Sequence, residues 1–159
     1  MAVERLDAVA APELTFRSAN EADVPAIMGI ERQSYIFPWT EGIFRDCLRV
    51  KYTCRVVEIG TSIAGYGIMS IAAGEAHLLN LCVGEVWRCR GVGRRLLAHL
   101  LHVAANLGAR ESFLEARPSN TTAIRLYQSL GYVQIGIRRG YYQAVDGRED
   151  AIVLKRRLD

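Results

Sequence analysis

The chain has no CxxC pair, and only three histidines accompany its four cysteines, Cys47, Cys54, Cys82 and Cys89. A zinc site or a redox dithiol, which needs closely spaced thiolates or imidazoles, finds no support, and no metal is expected. Lysine is nearly missing. Lys51 and Lys155 are the only two, so the positive charge is almost all arginine, and a formal net charge of +3 is too small to indicate a nucleic-acid surface. Long apolar runs are also lacking. The longest uncharged stretch, 59–74, is shorter than a typical membrane span and holds Gly60, Gly65, Gly67 and Gly74, so strands are expected there and no membrane contact. At the N-terminus Glu4, Arg5, Asp7 and Glu13 interrupt the apolar core that a secretory signal requires. A cytoplasmic protein with reduced thiols is the expectation.

What is present is ample for one domain. A chain of 159 residues, half of them hydrophobic, buries roughly 70% of its unfolded surface and needs no disulfide staples. Residues 1–12 read as a flexible tail and 13–159 as the domain. A short strand is expected at 14–18. Asn20 and Asp23 have capping-box spacing, and Val24, Ile27, Met28 and Ile30 form a helical stripe to about residue 35. Phe37-Pro38-Trp39 breaks it, and a second helix follows over 41–50. Segments 53–58 and 62–72 read as a hairpin turned at Gly60, and 76–83 as another apolar strand. Leu96, Leu97, Leu100, Leu101 and Ala104 mark the buried face of a helix over 93–107 that stops at Gly108. A strand at 112–116, a helix capped by Ser119 or Asn120 and ended by Gly131, and strands at 132–138 and 151–156 complete a mixed α/β order, β-α-α-β-β-β-α-β-α-β-β.

The most informative segment follows the strand at 76–83. Arg88-Cys89-Arg90-Gly91-Val92-Gly93-Arg94 opens a helix, where glycines let free backbone N–H groups approach an anion and the helix dipole favours negative charge. No Gly-Lys-Ser/Thr follows, so this is not a Walker A loop, and the third glycine of the Rossmann fingerprint is missing. The alternative is a simple tight turn.

Arg88-x-x-Gly91-x-Gly93 after a strand resembles the acyl-CoA-binding motif of the GNAT acetyltransferases. The likeness extends downstream. It takes in Leu114-Glu115-Ala116-Arg117-Pro118-Ser119-Asn120, then Ala123-Ile124-x-Leu126-Tyr127-x-x-Leu130-Gly131-Tyr132, then Arg138-Arg139-x-Tyr141-Tyr142 and Asp146-Gly147-Arg148-Glu149-Asp150-Ala151. With Phe37-Pro38-Trp39 these are similar to the branch of that family that acetylates the N-terminal alanine of a ribosomal protein. The departures are Arg88 for the commoner glutamine, Ala116 where valine is frequent and Gln143 where proline is usual.

The resemblance implies a single α/β (mixed α+β) GNAT domain. Its central, mostly antiparallel sheet would have about seven strands with a splayed parallel pair, flanked by about four helices. It implies acetyl-CoA as acetyl donor, with backbone groups of Leu81, Cys82 and Val83 holding the pantetheine arm like an added strand. Backbone N–H groups of Cys89, Arg90, Gly91, Val92, Gly93 and Arg94 would hold the pyrophosphate. Asn120 matches a cofactor-contacting position, and it is also a ready helix cap. Glu115 is implied as general base and Tyr127 as the acid that protonates the CoA thiolate, with a backbone N–H near Val83 for the oxyanion. Read from the residues alone, Glu115 is either an acid buried between Leu114 and Ala116, its pKa raised toward working pH, or a surface residue of an edge strand. Tyr127 is otherwise plain core.

Roughly a tenth of α-amines are unprotonated at neutral pH, against fewer than about one in a thousand lysines, which suits a carboxylate base to a protein N-terminus. Phe37, Trp39, Tyr141, Tyr142, Glu149 and Asp150, expected on loops around the cleft, are candidates to receive the N-terminal peptide of a ribosomal protein, with the acidic pair drawing in a basic chain. Loop anchoring is the other use for such aromatics. Cys82 and Cys89 read as packing residues with no acyl-cysteine intermediate. A GNAT enzyme for a polyamine or aminoglycoside, and a CoA-binding or ribosome-associated module without turnover, are the rival readings.

Overall fold

Period-two alternation builds most of the molecule, as a seven-stranded sheet in the order β1-β2-β3-β4-β5-β7-β6. The computed structural model describes residues 13–159, so the tail expected at 1–12 lies outside the described residues. The strands are β1 (Thr15–Ser18), β2 (Thr53–Ile59), β3 (Ser62–Ala72), β4 (Glu75–Val83), β5 (Glu111–Ala116), β6 (Val133–Ala144) and β7 (Gly147–Arg157). The helices are α1 (Val24–Ser34), α2 (Glu41–Arg49), α3 (Val92–Asn106) and α4 (Thr121–Ser129). Among the described residues, only β4 and β5 run parallel. The expected element order is therefore the observed one.

Two cores cover the two faces. On one, Leu96, Leu97, Leu100 and Ala104 of α3 pack with Tyr127 of α4 against Leu78, Leu114 and Leu154. On the other, Val24, Ile27 and Met28 of α1 pack with Phe44 of α2 against Val56, Tyr66, Ile68 and Cys82. The capping box forms as expected: Ala22 N donates to the Asn20 side chain, and Asn20 N donates to Asp23 at 2.8 Å. The α1 stripe holds one surprise. Ile30 is only partly buried, and the fourth fully buried position of the helix is Glu31.

Two irregularities position the site. β4 and β5 pair from Glu75↔Glu111 only as far as Leu78↔Leu114, yet both continue, β4 to Val83 and β5 to Ala116. Against β3, Ile68 faces Asn80 and Met69 faces Leu78, so Leu79 is an extra, unpaired residue. This bulge inverts the alternation of β4. Before it Ala76 and Leu78 belong to the α3 face; after it Leu81 and Val83 do, while Cys82 joins the α1 core.

The second irregularity lies in the β6–β7 hairpin, which is much longer than the sequence pattern indicates. Arg138 pairs with Ala151 but Tyr142 with Glu149, which leaves two extra residues on β6. Gly140, at φ +58, absorbs the kink in the left-handed region. Tyr141, Tyr142, Glu149 and Asp150, expected on loops, are therefore strand residues.

Candidate active site

Where β4 and β5 part, two cavities meet. The larger, about 600 Å³, lies between the end of β4 and the N-termini of α3 and α4. The smaller, about 210 Å³, lies on the α1 side and is lined by Glu31, Phe37, Trp39, Asn80, Glu115 and Tyr142, among others. Tyr35, Leu81, Asn120, Ala123 and Tyr127 belong to both walls. The opening between the strands is thus a passage through the sheet, with Tyr127 on the wall that both cavities share.

The larger cavity carries every cofactor residue expected from the sequence except Arg90. The Tyr35 hydroxyl donates to Leu81 O at 3.2 Å and Arg88 Nε to Val83 O at 3.0 Å, so both carbonyls face away from β3. The N–H groups of those residues point the same way, which leaves an open strand edge along the cavity. Gly91 precedes α3 at φ +77 with no side-chain cap, so the first N–H groups of the helix lack partners within it. Asn120 does cap α4, accepting from Ala123 N at 3.2 Å, and lines both cavities as well. Several arginines serve the scaffold: Arg88 also donates to Ser34 Oγ at 2.8 Å, Arg94 to Ser129 Oγ at 2.6 Å, and Arg90 lies over the Trp87 ring. Cys82 packs in the core as expected, but Cys89 does not: it is exposed, at φ +60, on the turn before α3.

On the other side, the Glu115 side chain is only 7% exposed. Burial raises its pKa, but the His77 Nε2 contact at 2.5 Å to Oε2, with Arg138 Nε 3.5 Å from Oε1, outweighs burial and holds the carboxyl below the usual range. The expected upward shift is thereby reversed. Tyr127 is buried, and burial together with Tyr132, whose ring meets it edge-on, pushes its phenol well above the ordinary value.

Phe37, Trp39 and Tyr142 line the smaller cavity, whereas Tyr141 is exposed and stacks edge-on against Tyr142 at 4.8 Å. Arg117 lies over the Tyr142 ring at 4.4 Å and donates to Glu149 at 3.1 Å. Glu149 also accepts from Ser119 N and Oγ, and Asp150 accepts from Gly140 N at 2.8 Å. Both carboxylates are thus occupied in fixing the rim.

Sequence reasoning missed the group that ties the two sides together. Glu31, 1% exposed, accepts from the Tyr66 hydroxyl, from Asn80 Nδ2 at 3.1 Å and from Trp39 N at 3.1 Å. One buried carboxylate therefore holds the α1–α2 loop, β3 and the bulged part of β4. Its signal was present as a charge four residues after Ile27 on the buried stripe, and as Asn80 set between the leucines of β4.

The description of the Acetyltransferase (GNAT) family matches residues 24–132. Ribosomal protein bS18-alanine N-acetyltransferase of Escherichia coli strain K12 is 37% identical over 140 residues, 88% of this chain and 95% of that one. The crystal structure of the ribosomal-protein-S18-alanine N-acetyltransferase from Escherichia coli is similar with a TM-score of 0.87 and 35% identity, covering 92% of this chain and 95% of the other. Ard1 from Thermoplasma volcanium follows the same fold at a TM-score of 0.82 and 26% identity, over 91% and 97% of the two chains.

Proposed function

This chain belongs to the acetyltransferase (GNAT) family, and on that footing we propose that it is an enzyme transferring the acetyl group of acetyl-CoA to a protein N-terminus. The acceptor is the N-terminal alanine of a bS18-type ribosomal protein, and the reaction belongs to the cytoplasm where ribosomes are made. The observation that carries the reading is the passage between β4 and β5, with Glu115 on one side and Tyr127 on the wall shared by both cavities.

The residues present fit acetyl-CoA. The open edge at Leu81 and Val83 offers strand-like hydrogen bonds to the amides of the pantetheine arm, and the first turn of α3 offers unpartnered N–H groups to a pyrophosphate. The thioester then lies in the passage, and the peptide enters from the smaller cavity past Phe37, Trp39 and Tyr142.

Glu115, directly or through one water, takes the proton of the α-ammonium. The amine attacks the thioester carbonyl, a C–N bond forms, and the oxyanion is held by a backbone N–H near Val83. The C–S bond then breaks and Tyr127 protonates the thiolate. Its raised pKa keeps the phenol protonated at neutral pH, as a donor must be. A carboxylate below its usual range is a weak base, which favours an α-ammonium, ionising at roughly 7.7–8.0, over a lysine near 10.4.

Incubation with acetyl-CoA and peptides beginning with Ala, Ser or Met, and with an Nα-blocked lysine peptide, tests this by mass spectrometry. Acetylation at the α-amine, fastest for Ala, is expected. Transfer only to the lysine side chain overturns the N-terminal reading, and no transfer to any amine overturns the enzyme.

A further inference from the structure

Glu115 is the first β5 residue beyond the last β4–β5 pair, Leu78↔Leu114. His77 is paired with Phe113, which shares the Glu115 face of β5, so His77 is the last β4 side chain on that face before the strands diverge. The deeper polar residue of β4 in the same cavity, Asn80, donates to Glu31 instead. The imidazole reaches the Glu115 carboxylate at 2.5 Å, while Arg138 approaches the other oxygen. Exposure falls from 36% at His77 to 7% at Glu115, so the ring links a buried carboxylate to solvent.

We propose that His77 is a positioning residue for the transfer. Its ring holds one oxygen of the Glu115 carboxylate by a hydrogen bond, and so fixes the orientation in which that carboxylate receives the proton of the substrate. This rests on the reading of Glu115 as proton acceptor. With the carboxylate as acceptor, Nε2 is the donor.

The groups around the pair leave this role to the imidazole. Arg138 and Tyr142 face it from β6, and Arg117 lines the same cavity at the end of β5. Lys155 of β7 lies over the Phe113 ring and pairs with Glu111 at 2.8 Å. Glu31 of α1, across the cavity, is locked as an acceptor by its three donors.

The test is kcat and KM at pH 8, with one N-terminal alanine peptide, for the wild type, H77Q, H77A and E115Q. H77A is expected to lose about tenfold in kcat, the worth of one charge-assisted hydrogen bond, with KM for acetyl-CoA unchanged. H77Q retains a donor and is expected to recover most of that loss. An H77A kcat equal to the wild type, or an H77Q kcat no better than that of H77A, overturns the proposal. E115Q separates the two readings. If it is inactive while the His77 variants behave as wild type, only the role of His77 falls; if it is fully active, the reading of Glu115 falls first.

Discussion

Replacing Glu31 by glutamine probes the contact that joins the acceptor rim to the sheet. The carboxylate accepts from three donors in a position shielded from water. An amide can keep the oxygen toward Tyr66 and Asn80, but its NH2 then faces Trp39 N–H, donor against donor. A buried donor left unpaired costs about 1–3 kcal/mol, and the two surviving bonds lose their charge assistance, about 1 kcal/mol each. Burying a neutral amide rather than an ion returns part of this, which leaves a net loss of about 2–4 kcal/mol. For a chain of this size that corresponds to a fall in Tm of roughly 5–12 °C. Urea and thermal unfolding measure it, and peptide kinetics add a second readout. Freed from Glu31, the segment carrying Phe37 and Trp39 should raise KM for the peptide while acetyl-CoA affinity holds. A stability change below about 0.5 kcal/mol would refute the reasoning, since it would equate this buried carboxylate with an ordinary surface residue.

Tyr127→Phe should keep the fold and CoA binding and lower turnover by about 10²-fold, read in single-turnover assays; undiminished turnover removes its role as acid. At Gly65 an added Cβ would lie 2.7 Å from Cys82 O and 3.3 Å from Val83 Cα. Gly65→Ala should therefore displace the end of β4, destabilise by about 1–3 kcal/mol and raise KM for acetyl-CoA, and normal values in both would show that this close approach is dispensable. The paired hydrogen bonds from Arg17, at 2.8 Å each, hold Asp23 below its ordinary pKa of 3.8 against the opposing effect of burial. A depressed folded-state pKa gives stability that is complete above the unfolded value and is lost as pH falls through the folded one. Asp23→Asn should thus be less stable by about 1–3 kcal/mol at pH 7, and the gap should close below pH 4; a gap independent of pH would contradict the linkage.

The helices and the β4-to-α3 segment were legible because their signals are local. Five apolar positions on one face of α3 and Gly108 beyond it leave little choice, and α3 runs from Val92 to Asn106, within one residue of expectation. The β6–β7 hairpin was read short because two extra residues and a left-handed Gly140 break the alternation by which strands are recognised. The direction of the Glu115 pKa shift was missed for another reason. Its burial follows from its neighbours on β5, but the histidine that reverses the shift lies 38 residues earlier and reaches it only because β4 and β5 pair there. Glu31 stayed hidden because a charge on an apolar stripe has meaning only once its three donors, from three other segments, are assembled around it.

The extra residue at Leu79 decides which changes of length β4 can absorb. The strand alternates in one phase up to Leu78 and in the opposite phase from Asn80 onward. Deleting Leu79 itself closes the bulge and keeps every other side chain on its face, because Leu78 still opposes Met69 and Asn80 still opposes Ile68. Deleting Leu81 instead shifts part of the strand by one residue against β3 and turns the side chains there to the other face. The bulge also coincides with the last β4–β5 pair, and a bulge bends its strand and increases its twist. Removing Leu79 alone therefore straightens β4 at the point where it leaves β5, and asks whether the passage can open without that bend.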